Sequence, residues 1–318
     1  MGQTDSTVSR SQRLWWQAQA RSQASLYGLP RRAMWALDHL LDYRLDRRRL
    51  SKRLGYWPHH RRPRTFNEHV IHKKYFDRHH LLPLTADKAR MREYVRSVLG
   101  SRADEHLVPL LDVVADPLAF DEPPGVEEYV LKANHASGWN LFITQEQPFE
   151  PWMRQTMLRW LHTPYGLHKH EWAYQRIPRR IVVEPLLRDQ NGDIPPDYKL
   201  HVIGGQVSFI QVDVDRFGTH QRSLFDRHWA QLPVAYEYPG GPPLERPPIL
   251  DNMVGLAEQL AEPFDYLRVD QFIVDGRPVL GELSHYVGSG GDAFRSAIWD
   301  AWFGAQWLRA TRRRQARV

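Results

Sequence analysis

Two glycine-bearing dipeptides limit what this chain can fold into more than any other feature. Gly204-Gly205 interrupts DYKLHVIGGQVSFIQVDVDRF, and Asp275-Gly276 interrupts RVDQFIVDGRPVLGELSHYVGSGG. Each lies between runs rich in Val, Ile, Leu and Phe, and a two-residue turn of this chemistry joins neighbouring antiparallel strands. Helical stretches separate these hairpins without a strict βαβ repeat, so the expected class is α+β. TFNEHVIHKKYFDRHH reads as a helix capped by Thr65 or Asn67, and ADKARMREYVRSVLG as a second helix closed by Gly100. LVPLLDVV reads as a strand and DPLAFDEPPG as a link; EEYVLKANHASGWNLFI then gives strand, loop and strand. A Trp-rich helix over about 150–162, a buried strand in RRIVVEPLL and a helix in NMVGLAEQLAEPF complete the pattern. A chain of 318 residues is too long for one small core and predicts two or three packed lobes.

The second hairpin raises a chemical question, because Asp270 and Glu282 interrupt its apolar runs. Buried carboxylates are costly unless paired or bound to a metal. Mg²⁺ prefers a few carboxylate oxygens together with substrate phosphates, and facing strands can supply them if both acids share a face. A two-residue Asp275-Gly276 loop puts Asp270 opposite Gly281 and Glu282 on the other face. The metal reading therefore requires an odd loop or a local break in pairing, and the expectation is that the turn is not a plain two-residue loop. The rival reading is an edge strand with one solvated acid.

No GxxxxGK[ST] and no GxGxxG occurs, so neither common phosphate-binding loop is present. Lys132 instead ends a strand just before Asn134-His135-Ala136-Ser137-Gly138, where an ammonium and backbone N–H groups can cover a polyphosphate. The other histidines among the 16, including His59-His60, His79-His80 and His168/His170, lack carboxylates at ligand spacing and are expected on the surface.

Charge is uneven. Residues 1–64 hold 14 Arg and Lys against four Asp, and ATRRRQARV at the end holds four more arginines. Residues 65–309 are acidic, with 25 basic against 33 acidic side chains. Basic ends on an acidic body do not make a nucleic-acid surface, and no nucleic-acid partner is expected. In AMWALDHLLDYRLDRRRLSKRL (33–54), Met34, Leu37, Leu41 and Leu45 fall near helical spacing with arginines between. Two readings stay open: a basic amphipathic helix on an anionic membrane face, or a helix packed on its own domain with a solvated basic side. No apolar run spans a bilayer, no signal-peptide pattern opens the chain, and cysteine is absent. The expected location is cytoplasmic, with a peripheral place at the inner membrane face under the first reading.

Taken together, TFNEHVIHKKYFDR, ADKARMREYV, VLKANHASGWN, RIVVEPLLRDQNGDIPPDYKLHVIGGQVSFIQVDVDRFGTHQRSLFD and YLRVDQFIVDGRPVLGELSHYVGSG resemble the TupA-like branch of the ATP-grasp superfamily over residues 65–295. The resemblance implies an ATP-grasp fold, two α+β lobes clamping ATP. Residues 1–64 would be a basic helical N-terminal extension, 65–125 a region before the grasp fold and 126–198 the smaller lobe. Residues 199–300 would form the C-terminal lobe, and 301–318 a basic tail. By the family's pattern Lys88 and Lys132 contact the nucleotide phosphates, under a lid that includes His135, Ser137 and Gly138. Glu184 and Leu187 match the hinge that holds adenine, Asp189 is the candidate for the ribose, and Lys199 faces the terminal phosphates. Asp270 and Glu282 match the Mg²⁺ carboxylates, with Ser284 where the superfamily generally has Asn.

The reaction implied is transfer of the γ-phosphoryl group of ATP to a carboxylate, followed by attack of an amine on the acylphosphate. Arg216, Arg222 and Arg268 are candidates to clamp the carboxylate or stabilise developing charge. His285 and Tyr286 either line the acceptor pocket or pack, and Gly288-Ser289-Gly290-Gly291 can admit the acceptor close to backbone. The substrates expected are a small-molecule or glycopolymer carboxylate and an amine, in cell-envelope polysaccharide or conjugate assembly. The alternatives are a glycosyltransferase using the DVD of 213–215 and a nucleotide-binding adaptor without catalysis.

Overall fold

The computed structural model describes residues 30–214 and 219–316. The described residues begin with helices α1 (Pro30–Leu40) and α2 (Arg44–Leu54). The uninterrupted helix expected over 33–54 is broken between them, where Asp42 and Tyr43 take left-handed φ values of 53° and 60°. Asp38 makes the break tolerable, because its carboxylate accepts the amides of Leu45 (2.6 Å) and Asp46 (3.1 Å) at the start of α2. Helix α3 (Phe66–Phe76) carries a full capping box: Glu68 N–H donates to the Thr65 hydroxyl and the Glu68 carboxylate accepts Thr65 N–H. The same carboxylate also accepts the amides of His59 (2.7 Å) and Arg64 (2.8 Å), fixing the approach to the helix.

After α4 (Leu82–Ala86) and α5 (Met91–Leu99) come β1 (Asp112–Val114), β2 (Tyr129–Ala133), β3 (Asn140–Ile143), α6 (Pro151–His162), α7 (Trp172–Gln175) and β4 (Ile181–Pro185). The four strands form an antiparallel sheet ordered β1-β4-β2-β3. Leu131, Ala133, Leu141, Ile143, Ile181 and Val183 pack on Met153, Met157 and Trp160 of α6, a core separate from that of the second sheet.

The second sheet is built from β5 (Tyr198–Ile203), β6 (Gln206–Val214), β7 (Gln221–Phe225), β8 (Tyr266–Val274) and β9 (Arg277–Ser284), in the order β7-β6-β5-β8-β9. Strand alternation gives it two faces. Leu200, Val202, Ile210, Leu267 and Val269 meet α5 and α8 (Leu250–Ala261). Ile203, Phe209, Leu224 and Tyr266 meet α3 and the last helix, α9 (Ala297–Gln315). The expected basic tail is thus mostly a helix with an aromatic anchor. Trp307 stacks on Tyr266 (4.5 Å) and His69 (5.1 Å) and donates its indole N–H to Asp265 (3.0 Å). A Cβ at Gly304 would lie 2.2 Å from the Arg64 carbonyl oxygen, so α9 can approach the start of α3 only with glycine there.

The β8–β9 hairpin corrects one expectation. Val274 pairs with Arg277, so the turn is a plain two-residue loop, with left-handed Asp275 (φ 49°) and Gly276 (φ 69°). Parity is restored by the other route, a break in pairing: Gln271 faces Leu280 while Asp270 faces Glu282, leaving Gly281 as an extra residue. A Cβ at Gly281 would lie 2.7 Å from the Phe272 ring, which is why the bulge holds a glycine.

Candidate functional site

The bulge places Asp270 and Glu282 side by side on the face of the sheet that α3 and α9 cover elsewhere. Lys199 is the cross-strand neighbour of Asp270 on β5, and Arg268 that of Ser284 on β9. Arg268 binds Asp270 through two N–H groups (2.6 and 2.7 Å), and reaches Glu282 (2.9 Å) and the Ser284 hydroxyl (3.2 Å). Burial pushes the Asp270 carboxyl up to about 7 against the pull of Arg268 and Lys199. Burial also opposes the charge of Glu282, but Lys88 and Arg268 hold it well below the usual carboxylate range. Two facing carboxylates and a hydroxyl, already gathered around one positive guanidinium, are a hard-oxygen donor set suited to a divalent cation. No group of three His, Cys, Asp or Glu able to hold a metal occurs among the described residues. Two carboxylates and a hydroxyl are the number and kind of oxygen donors that suit Mg²⁺ when phosphate oxygens and water complete its shell.

Two cations meet on the small sheet. Lys132 on β2 and Arg92 on α5 both bind Glu184 of β4, at 2.5 and 2.6 Å. Burial opposes the Glu184 charge, and these two cations hold its carboxyl below the ordinary value. Lys88 links the two sheets: its ammonium donates to the Ala136 carbonyl in the loop after β2 (2.6 Å) and pairs with Glu282 of β9 (3.0 Å). Asp87 beside it accepts the Asn134 side-chain amide (2.9 Å) and Lys88 N–H donates to the Asn134 carbonyl (3.1 Å), so the 134–138 loop is tied to residues 87–88 at three points.

Not every expected residue faces this place. His135 is buried with its ring edge-on to Trp139, and burial together with Arg179 lowers it to about 4, leaving it neutral. Ser137 is exposed, Gly138 has φ 73°, and Leu187 is half-buried. Asp189 closes a turn on itself by accepting the amides of Asn191 (2.8 Å) and Asp193 (3.0 Å). Arg222 donates to Asp213 (2.7 Å) and lies over the rings of Tyr236 and Tyr238. Burial opposes the Asp213 charge, but His220, Lys199 and Arg222 hold it well below the usual range, so Asp213 is neutralised by protein groups. Arg216 and the second Asp of DVD, Asp215, lie outside the described residues.

His285 hydrogen-bonds the Thr85 hydroxyl (2.7 Å) and packs on Phe264, while Tyr286 packs on Tyr174. Most of the 16 histidines are exposed or half-buried as expected, but His60, His69, His170 and His201 are buried, against the expectation for them. Two residues escaped the sequence reading. Arg92 follows Lys88 by one helical turn, and that spacing was the available signal. Lys74, fully buried on α3, binds Asp46 of α2 (2.6 Å) and both the carbonyl (2.9 Å) and hydroxyl (3.1 Å) of Ser289 in the glycine loop.

Lys88, tied to the loop that follows Lys132 on the small antiparallel sheet, thus stands next to the paired carboxylates of the larger one. The chain belongs to the TupA-like ATP-grasp family, whose model matches residues 68–308. No curated protein matches it in sequence. Similar solved structures include D-alanine–D-alanine ligase from Bacillus anthracis, at 15% identity over 75% of this chain and 72% of that chain, TM-score 0.40. The same enzyme complexed with ATP gives 14% identity over 64% and 54%, TM-score 0.32. The ATP-grasp ligase PsnB, complexed with a phosphomimetic variant of its minimal precursor, Mg and ADP, gives 13% over 72% and 60%, TM-score 0.40. The chain thus spans less than two thirds of the length of the latter two.

Proposed function

We propose that the chain joins a carboxylate to an amine at the expense of ATP, in the assembly of a cell-envelope polysaccharide or related conjugate. The observation that carries this reading is the Lys88 bridge, an ammonium held between the loop of the small sheet and the Glu282 carboxylate of the large one. A polyphosphate lying between the two sheets would meet Lys88, Lys132 and Lys199 as charge partners, and its adenine end would lie toward Glu184 and Leu187. Asp270, Glu282 and Ser284 would hold Mg²⁺, which when bound neutralises phosphate charge. Arg268 is within reach of both carboxylates and supplies a planar two-point donor for a substrate carboxylate or a transferring phosphoryl group. The γ-phosphoryl group passes to the substrate carboxylate with loss of ADP. The amine then attacks the acyl carbon, phosphate leaves, and the amine gives up a proton. Positioning and charge neutralisation drive such a transfer, and no protein nucleophile is required. The cysteine-free composition and the ATP requirement support a cytoplasmic site of action.

The test is incubation with MgATP and a panel of small-molecule and glycopolymer carboxylates, with and without amines. Equal release of ADP and phosphate that depends on the carboxylate supports the proposal. Turnover of a nucleotide sugar with ATP left intact would sink it.

A further inference from the structure

Helix α1 is turned inside out relative to an ordinary surface helix, which hides its apolar side. Its polar and aromatic arc faces the protein. Asp38 is buried and pairs with His170 (2.8 Å), and Trp35 stacks on His170 (6.2 Å) and His39 (5.8 Å). The opposite arc is open: Met34 is 56% exposed, Leu37 50%, Leu40 82% and Leu41 43%, with Leu45 at the start of α2 at 39%. Ala33 and Ala36 complete that arc, which carries no charge. Arg32 borders it, and α2 presents exposed Arg44, Arg48 and Lys52 on the same stripe as Leu45.

Three occupants compete for this face, and charge separates them. A second copy seated on the same face would bring these arginines against their own images across a two-fold axis. Five side chains are also few beside the roughly 800 Å² per partner of a stable interface. Residues 1–29 carry three Arg against one Asp, the same sign as the rim, so they do not neutralise it. An anionic lipid surface answers both features, offering phosphates to the arginines and an acyl boundary to the leucines.

We propose that α1 and the first turn of α2 dock the protein on an anionic lipid surface, with Met34, Leu37, Leu40 and Leu41 among the headgroups and Arg44 and Arg48 on the phosphates. The proposal is independent of the reaction catalysed and holds for the protein without substrate.

The test is co-sedimentation of the full chain with vesicles of equal parts phosphatidylglycerol and phosphatidylcholine, and with vesicles of phosphatidylcholine alone. Binding to the first and at least tenfold weaker binding to the second are expected. Replacing Met34, Leu37 and Leu41 by Ser lowers binding at least tenfold, with the unfolding temperature unchanged because the three positions are exposed. Arg44→Gln with Arg48→Gln lowers it about 25-fold at low salt, about fivefold per charge, and by less as salt rises.

The chain has no cysteine, so Leu37→Cys and Leu41→Cys can each carry an environment-sensitive fluorophore, a readout that does not depend on the triple variant folding. Vesicles should shift both emissions to the blue and leave a label at Leu118→Cys, 66% exposed on another part of the molecule, unchanged. Absent binding, undiminished binding by the Ser variant, or equal shifts at all three labels would each overturn the proposal. A fall in unfolding temperature on Ser substitution would show the face covered by the chain itself. A halved solution mass would show it covered by a second copy. Either outcome also overturns it.

Discussion

Replacing Lys74 with Met removes the ammonium that ties the N-terminal helices to the glycine loop, and the loss can be sized from the geometry. An ammonium has three protons, and all three are used: on Asp46 Oδ2 (2.6 Å), the Ser289 carbonyl (2.9 Å) and the Ser289 hydroxyl (3.1 Å). Removing one member of a buried pair costs about 3–5 kcal/mol. Asp46 keeps Arg49 (2.6 Å) and the Tyr75 hydroxyl (2.7 Å), so the lower end, about 3 kcal/mol, is expected. Electrostatics gives a scale for the whole cluster. Burial raises the Asp46 carboxyl, but Lys74 and Arg49 together hold it at about 2 instead of 3.8, about 2.4 kcal/mol at neutral pH. Lys74 supplies only part of this, because burial lowers its own ammonium.

The sign follows from that direction. A carboxyl lowered by the fold adds stability above its unfolded value of 3.8, and the contribution fades as pH falls through about 2. Guanidinium unfolding at pH 7 and again near pH 2 measures both quantities: a gap of about 3 kcal/mol between natural chain and variant that narrows in acid. The double variant Asp46→Leu with Lys74→Met should cost less than the two single changes added, because no charge is left unpaired. A single variant within about 1 kcal/mol of the natural chain at pH 7, or strict additivity in the double, would refute the reasoning.

Three further outcomes are expected. Asp270→Asn and Glu282→Gln each lower ADP formation about 100-fold or more while circular dichroism holds; near-natural rates in both would remove the metal assignment. Each also lowers the unfolding temperature, because it removes a charge partner of Arg268 and, for Glu282, of Lys88. The Asp270 carboxyl, raised to about 7 chiefly by burial, must release a proton when a dication binds. MgATP affinity should therefore fall about tenfold per unit of pH below 7, and calorimetry in buffers of different ionisation enthalpy should register proton release; a flat profile from pH 5.5 to 8 contradicts this. Glu184→Gln strips two buried cations of their shared partner and should cost about 3 kcal/mol in thermal unfolding. Lys132→Met, which leaves the Arg92–Glu184 pair intact, should weaken ATP binding at nearly unchanged stability.

Much of the fold was legible because local chemistry carried it. A cap at Thr65 or Asn67 announced α3, and Gly204-Gly205 and Asp275-Gly276 announced their hairpins. What stayed hidden depended on partners distant in sequence. The glycine in the bulge answers to the Phe272 ring, which leaves no room for a Cβ and which no local pattern reveals. The end of the chain looked like a basic tail because its arginines outnumber its anchors, yet Trp307 finds Tyr266 and His69 across the sheet. In the site, strand position placed Asp270, Glu282, Lys199 and Arg268 on one face, as alternation and the bulge require. Arg222 and Asp189 instead spend their groups on neighbours, and Lys74 escaped notice because its partners stand 28 and 215 residues away.

The hairpin has a consequence for how this chain tolerates changes of length. Facing in a strand has a phase of two, and here the phase is set by one bulged glycine well inside β9, not by the turn. The exposed tip at Asp275–Arg277 is thereby released from that duty, and can grow by pairs of residues, carry a tag or accept an inserted loop without disturbing Glu282. Regular pairing of Gly281 with Asp270 would be a frame error in miniature: it would turn Glu282 to the hydrophobic side of the sheet, whereas deletion of the unpaired Gly281 leaves Glu282 opposite Asp270.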